Sequence, residues 1–419
     1  MTTAIVTGAT GITGQAVVNE LIKSSQYKKI YTLSRSQPGQ THEKVEHASI
    51  DLCGDAKQMA DSLKSVQGAT QVFFCAYLAN DDEGEAAKIN SSMLQNFIDA
   101  LHITGALKEI KRIVLTCGLK QYGVHLGLTK QPMEETDPTH QGENWPPNFY
   151  FSQQKVLIDN ASKGHYTWTV TLPQDVLGYA KGNFMNECTA LGLYCAIAKL
   201  AHPNSELPFP GSKANYLAFN CWTSANLHAR FCLWAASAPN AANQIFNVTN
   251  GDTQSWQTLW PRLAMRFGCK IPQDQFPGGA RSTYRDFAAA GPNALHDPPP
   301  ISLQAEAMGV PDLAARPSAV YQQIDTVAWS QRPEILNAWT TLRDKYKLDQ
   351  KTWDKATWGF LTFVLGREYS CVVSMSKARK MGWNGYEDTW DSFEEVFGRL
   401  EAEGVLPPVS QLKGEKSLV

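Results

Sequence analysis

The sequence predicts an α/β protein: a doubly wound parallel sheet with a mostly helical cap attached to it. Three observations carry that expectation. Residues Met1 to Gly14, MTTAIVTGATGITG, run from an apolar stretch, Ala4-Ile5-Val6, into Gly8, Gly11 and Gly14. Gln15 to Ile22 are then apolar at helical spacing, so the opening reads as buried strand, glycine turn and helix. Strand-like runs without polar alternation recur between helical patterns as far as a last one over Gln244 to Val248, the rhythm of a parallel sheet covered on both faces. Helical patterns cover Leu191 to Leu200, which reads as chain leaving the sheet to build a cap, and return at Glu334 to Tyr346, Thr352 to Leu365 and Thr389 to Glu401.

The glycine turn has a chemical use. Glycines let the backbone approach a pyrophosphate, and the following helix end offers unpaired N–H groups and a positive dipole end. Thr7, Gly8, Thr10, Gly11, Ile12 and Gly14 are therefore expected at a dinucleotide. Three spaced glycines alone are a weak signal; their placement between a strand and a helix is what makes them specific.

At 419 residues the chain has room for a dinucleotide-binding domain, expected over 1–190 and 218–250, and a discontinuous substrate cap over 191–217 and 251–419. A hydrophobic share of 43% with 19% charged residues is that of a globular protein, and no run reaches membrane-spanning length. A net charge of −2 argues against nucleic acid or a membrane surface as partner. The nine cysteines are scattered without a CxxC and sit mostly in apolar contexts, which suits buried thiols in a reducing compartment. A cytoplasmic location is expected. The nine histidines show no HExxH or other ligand spacing, so no metal is expected.

Taken in order, Ile30 to Leu33 reads as the second strand, ending at Ser34-Arg35-Ser36. A carboxylate there would bind the ribose 2′-hydroxyl of NAD, whereas an arginine accommodates the 2′-phosphate of NADP. Arg35 between two serines points to NADPH/NADP+. Val45 to Leu52 reads as a third strand with Asp51 and Leu52 toward the adenine. Gln71 to Tyr77 is a fourth, Glu85 to Leu101 a helix, and Arg112 to Thr116 a fifth strand. The carboxyl ends of these strands gather Gly8 to Gly14, Arg35, Tyr77, Thr116, Cys117, Gly118 and Lys120. Thr171 to Gly178 closes the sixth strand, with Pro173 and Val176 along the nicotinamide.

Reduction of a carbonyl or enone needs a proton donor or hydrogen bond at the developing oxyanion. A tyrosine whose pKa is lowered by an ammonium is a common supplier, and Lys120 and Tyr150 lie at the right end of the sheet. Lys155 is a poor partner for Tyr150. Five residues on, it lies about 140° round the helix, which reads as a solvated surface lysine.

These segments resemble the progesterone 5β-reductase/iridoid synthase-like family, atypical extended members of the short-chain dehydrogenase/reductase superfamily. That family carries a TGxTGxxG turn, a TGxKxY segment with an active-site lysine and an NFYY segment with an active-site tyrosine. Here stand Thr7 to Gly14, Thr116-Cys117-Gly118-Leu119-Lys120-Gln121-Tyr122 and Asn148-Phe149-Tyr150-Phe151. The likeness continues through Gly182-Asn183-Phe184-Met185-Asn186, Phe209 to Lys213, Phe246 to Asp252, Trp358-Gly359-Phe360 and Ser376 to Trp383. It implies a Rossmann-type sheet, Lys120 and Tyr150 as the catalytic pair, and a homodimer. It also places Tyr122, Asn186, Trp358 and Phe360 at the substrate, beside Tyr77. Two departures, Phe151 for the second tyrosine and Gln121 for the usual histidine, imply a reshaped pocket.

Gly278 to Pro317 reads as a long irregular connection, resting on the surface rather than acting as a lid. Trp353, Trp358, Phe360 and Phe363 form an aromatic stripe that is either core or pocket lining. Cys117 lacks an adjacent base and reads as a small residue beside the nicotinamide. The expected activity is NADPH-dependent reduction of a small apolar enone or carbonyl compound, with 1,4-reduction of an activated C=C favoured. The alternatives are a cofactor-binding cyclase or isomerase without net redox and an NADP(H)-sensing regulatory protein.

Overall fold

The computed structural model describes residues 1–37, 41–164, 166–180, 185–277, 295–316 and 318–418, with the backbone alone for 282–284. The chain builds β1 (Thr2–Thr7), α1 (Ile12–Lys23), β2 (Tyr27–Ser34), β3 (Val45–Ser49), α2 (Ala56–Ser62), β4 (Gln71–Phe74), α3 (Glu83–Ile103) and β5 (Arg112–Thr116). It continues with α4 (Phe149–Lys163), β6 (Thr167–Pro173), β7 (Val176–Leu177), α5 (Glu187–Ala201), α6 (Lys213–Leu217), β8 (Thr223–Ser224), α7 (Ala225–Ser237) and β9 (Gln244–Val248). Seven strands make one sheet in the order β3-β2-β1-β4-β5-β6-β9, with every neighbouring pair parallel. The Rossmann-type sheet that the sequence predicts is what the chain forms.

Both faces of the sheet are buried, and strand alternation sorts residues between them. Ile5, Val72, Phe74, Ile113 and Leu115 pack with Met93, Leu94 and Phe97 of α3 and Leu157 of α4. Ala4, Val6, Phe73 and Val114 pack with Val17 and Leu21 of α1 and Ala229 and Cys232 of α7. Because both sets are apolar, the strands show no polar alternation in sequence. The chain leaves β1 toward β2 on one side and returns at β4 on the other, which opens a crevice at the carboxyl ends of these strands.

Downstream come α8 (Trp256–Phe267), a short antiparallel pair β10 (Ser282–Tyr284) with β11 (Val320–Gln322), α9 (Thr326–Ser330), α10 (Pro333–Tyr346), α11 (Gln350–Asp354) and α12 (Trp358–Gly366). The fold ends with α13 (Ser376–Lys380), α14 (Thr389–Ala402) and α15 (Val409–Leu412). A second core forms here around α5, every residue of which is buried, with Trp222, Trp256, Trp260, Trp329 and Trp339 packed about it. No helix among the described residues is long and apolar enough to cross a membrane.

Several elements differ from the sequence reading. α1 starts at Ile12 because Gly11 is its N-cap, and β3 and β4 stop at Ser49 and Phe74, leaving Asp51, Leu52 and Tyr77 in loops. The expected helix over Thr352 to Leu365 is two helices, with Lys355 to Thr357 between them. α2 is too short for periodicity to reveal, and an Asp55–Gln58 capping box starts it. Of the expected irregular connection, 278–281, 285–294 and 317 lie outside the described residues. Its described part, 295–316, braces another loop: the N–H groups of His296 and Ile301 donate to the carbonyls of Leu126 and Leu128, at 2.8 and 2.9 Å.

Candidate active site

The glycine turn owes its shape to three different needs. Gly8 has φ +64°, and a Cβ there would stand 2.9 Å from the Ala76 backbone. At Gly14 a Cβ would lie 2.2 Å from the Gly8 carbonyl oxygen, so helix and turn close together only on glycine. Gly11 caps α1 with no side-chain hydrogen bond, and the first helical turn carries no acidic residue. Its N–H groups are left to an anion, and the residues here fit a pyrophosphate.

From this turn a cleft of about 640 Å³ follows the carboxyl ends of the strands. Gly8, Thr10, Gly11 and Ile12 line its start, and Ser34, Arg35, Ser36, Asp51 and Leu52, at the end of β2 and just beyond β3, line it as well. Thr116, Cys117, Gly118, Pro173 and Val176 line its middle, with Lys120, Tyr150, Tyr77 and Phe360 on the wall beyond. Thr7 and Gly14 stay behind the wall: Thr7 is fully buried at the end of β1, and Gly14 supports the turn through close packing.

Lys120 and Tyr150 reach the cleft from different elements held in register by one residue. The Asn148 side chain caps α4 by accepting from the Tyr150 N–H at 3.0 Å and donates to the Lys120 carbonyl at 2.8 Å. The Tyr150 phenol lies against Gly118, where a Cβ would stand 2.8 Å from its oxygen. Phe149, stacked on Tyr77 with ring centres 5.6 Å apart, meets the Tyr150 ring edge-on at 4.4 Å.

The electrostatics differ from the sequence reading. The Lys120 ammonium pairs with Glu83, Nζ to Oε1 3.0 Å. Burial lowers its pKa and Glu83 opposes that shift. Tyr150 is not made acidic: burial, then Cys117, Tyr77 and Glu83, hold its phenol well above the usual value. Tyr150 is thus a protonated hydrogen-bond donor whose charge state Lys120 does not set. Burial likewise pushes the Cys117 thiol up, which suits a neutral wall residue rather than a nucleophile. Lys155 pairs with Asp159 at 2.8 Å on the exposed face of α4.

Three expected substrate residues lie elsewhere. Tyr122 is buried and donates to Asn247 Oδ1 at 2.7 Å, tying its loop to the end of β9. Asn186 caps α5, accepting from the Thr189 N–H at 3.2 Å. Trp358 is buried among Trp329 and Trp353 in the second core. The aromatic stripe therefore divides, with Trp353 and Trp358 in the core and Phe360 and Phe363 on the cleft. Gly182, Asn183 and Phe184 lie outside the described residues. Gln121 accepts from the Gln154 side chain at 2.8 Å, away from Lys120.

Sequence reasoning missed Glu83, His125, Asp175 and Arg367. Asp175 and Arg367 both line the cleft and pair at 2.7 Å, which straps the end of α12 to the turn after β6. No motif marks them, since each acts through a partner far along the chain.

The fold and this cleft define a Rossmann-class protein with a glycine-turn binding site. Residues 4–282 match the PRISE-like Rossmann-fold domain, and the chain belongs to that family. It is 35% identical to an uncharacterized protein of Schizosaccharomyces pombe, over 96% of this chain and 98% of that one. It is 28% identical to a short chain dehydrogenase of Penicillium aethiopicum, over 97% and 99% of the two chains. A 3-oxo-Delta(4,5)-steroid 5-beta-reductase of Arabidopsis thaliana is 26% identical over 96% of this chain and 93% of its own. Among solved structures, the terminal R domain of the myxalamid PKS-NRPS pathway shares the fold, with TM-score 0.58 at 14% identity over 97% of this chain and 92% of that one.

Proposed function

We propose that this protein is an oxidoreductase that uses NADPH to reduce the activated C=C of a small apolar enone. Reduction of a carbonyl is the nearest neighbouring chemistry. The observation that carries the reading is the Tyr150 phenol, kept protonated and held against Gly118 on the wall of the cleft that the glycine turn opens. The names of the relatives, a short chain dehydrogenase and a steroid 5-beta-reductase, support it. Arg35, flanked by Ser34 and Ser36 at the end of β2, supports NADPH over NADH.

Bound NADPH supplies a hydride. As negative charge moves onto the substrate oxygen, Tyr150 donates a hydrogen bond to it from a preorganised position. Lys120, held by Glu83, places a positive charge on the same wall without a proton transfer of its own. Phe360, Phe363 and Met185 give the cleft an apolar lining suited to such a substrate.

The test is oxidation of NADPH in the presence of small enones, ketones and aldehydes, with Tyr150→Phe and Lys120→Ala alongside. An enone converted to its saturated ketone, with turnover collapsing in both variants, supports the reading. Tight NADPH binding with isomerised or cyclised product of unchanged mass would replace it with a cyclase.

A further inference from the structure

The wall of the cleft carries a polar side chain, His125, that makes no hydrogen bond to the described residues. His125 lines the cleft with Lys120 and Val124, yet it is only 4% exposed. Its Nδ1 is sealed and has no partner among the described residues. Nε2 has no partner among the described residues either and, unlike Nδ1, is not sealed, so it is the ring atom left open to a ligand in the cleft. Burial, the Lys120 ammonium and His140 all disfavour its cation. The ring is therefore neutral and offers a ligand its open Nε2, as donor or as acceptor according to the tautomer.

The chain holds this ring in place from both sides. The Val124 carbonyl accepts from the Tyr369 hydroxyl at 2.7 Å, and the Leu126 carbonyl from the His296 N–H at 2.8 Å. Gly123 and Gly127 flank the loop at φ +76° and +146°, beneath Pro300 and Ser318. A Cβ at Gly123 would stand 2.8 Å from Pro300 Cγ, so the brace seats on glycine. Fixing the backbone on either side of a side chain is how a binding group is preorganised.

We infer that His125 hydrogen-bonds a second oxygen of the substrate, a hydroxyl or carbonyl separate from the oxygen that Tyr150 serves. The substrate class is then an oxygenated enone rather than a hydrocarbon-like one. An ammonium group is disfavoured by the neighbouring Lys120. A site built to pair a substrate hydroxyl rejects the analogue lacking it, because the site's own polar atom is left unpaired.

The inference rests on the enone-reductase reading for its substrate, so the test has two arms. In the first, kcat/KM is compared for cyclohexenone and its ring-hydroxylated isomers in the wild type, His125→Phe and His125→Gln. At least one hydroxylated isomer is expected to be preferred by about tenfold, the worth of one hydrogen bond. That ratio should fall to near one in His125→Phe and return in part in His125→Gln. In the second arm, calorimetry measures cyclohexanone and hydroxycyclohexanones binding to the protein loaded with NADP+, with NADP+ affinity as the control for folding. A hydroxyl preference lost in His125→Phe, without turnover of any enone, would uphold this inference and sink the reductase reading. Turnover in which His125→Phe leaves the preference unchanged, or no hydroxyl preference in either arm, would overturn it.

Discussion

The Lys120 ammonium stands 3.0 Å from the Glu83 carboxylate, so its charge is held by a residue of α3 rather than by the Tyr150 phenol. Burial disfavours the ammonium and Glu83 restores part of its stability. Glu83→Gln removes the second influence and keeps the first, so the Lys120 pKa should fall further. Where activity requires the ammonium, the alkaline limb of the pH–kcat/KM profile is expected to move to lower pH in Glu83→Gln and to vanish in Lys120→Ala. An unmoved limb in Glu83→Gln would assign it to another group.

Tyr150→Phe should lower kcat/KM by about 10²–10³, the usual loss for one donor to a developing oxyanion. NADPH affinity should change little, since the glycine turn and Arg35 are left untouched. Stopped-flow hydride transfer and equilibrium NADPH binding separate the two quantities.

Gly118→Ala should imitate that loss. Gly118 has an extended backbone, φ 172°, so alanine brings no backbone strain. Its methyl carbon would stand 2.8 Å from the Tyr150 oxygen and displace it. Gly14→Ala differs: a methyl 2.2 Å from the Gly8 carbonyl must push α1 away from the turn. About 1–3 kcal/mol of stability should go with it, together with NADPH affinity. Thermal unfolding with and without NADPH distinguishes the two variants.

Arg35→Ala should weaken NADPH by about 10–100-fold and leave NADH nearly unaffected, as expected for one charged hydrogen-bond donor to a phosphate. Comparing the two dissociation constants in both proteins checks this. An equal loss for both cofactors would move Arg35 away from the 2′-phosphate.

Glu187, in the first turn of α5, accepts from Trp222 Nε1 at 3.2 Å and leaves Oε1 unpartnered among the described residues. Burial, then Asp175, push its pKa up to about 8, against Arg367 and Trp222. The folded state then holds a proton that the unfolded chain releases near the ordinary glutamate value, about 4.3. Its contribution is fully present below that value and is lost as pH rises through about 8. Glu187→Gln, permanently neutral, should gain in Tm over the wild type at pH about 8 relative to pH about 5. Paired melting curves at the two pH values measure the difference.

How much of this was legible depends on the range of the interaction. β5 matches its sequence reading residue for residue, because a strand buried on both faces leaves an apolar run that no partner needs to explain, and β9, at the sheet edge with Gln244 and Ile245 half-buried, matches as well. Helices with long apolar stripes, such as α3 and α14, differ from it by at most two residues at either end. Tyr122, Asn186 and Trp358 went astray for a common reason. Motif likeness transfers a residue's place in the chain, whereas its direction depends on Asn247, Thr189 and Trp353, which the motif does not contain.

The sequence by itself determined the parallel sheet, the glycine turn and the placing of Tyr150 and Lys120 at the end of the sheet where the cleft lies. Each is written in local periodicity or in steric demands within a few residues. Only the tertiary structure decided what those groups do to one another. It paired Lys120 with a carboxylate 37 residues away, left the Tyr150 phenol protonated, and turned His125 to the cleft under a brace from 295–316. Such relations arise from burial and from contacts between distant segments, and neither leaves a trace in the spacing of residues along the chain.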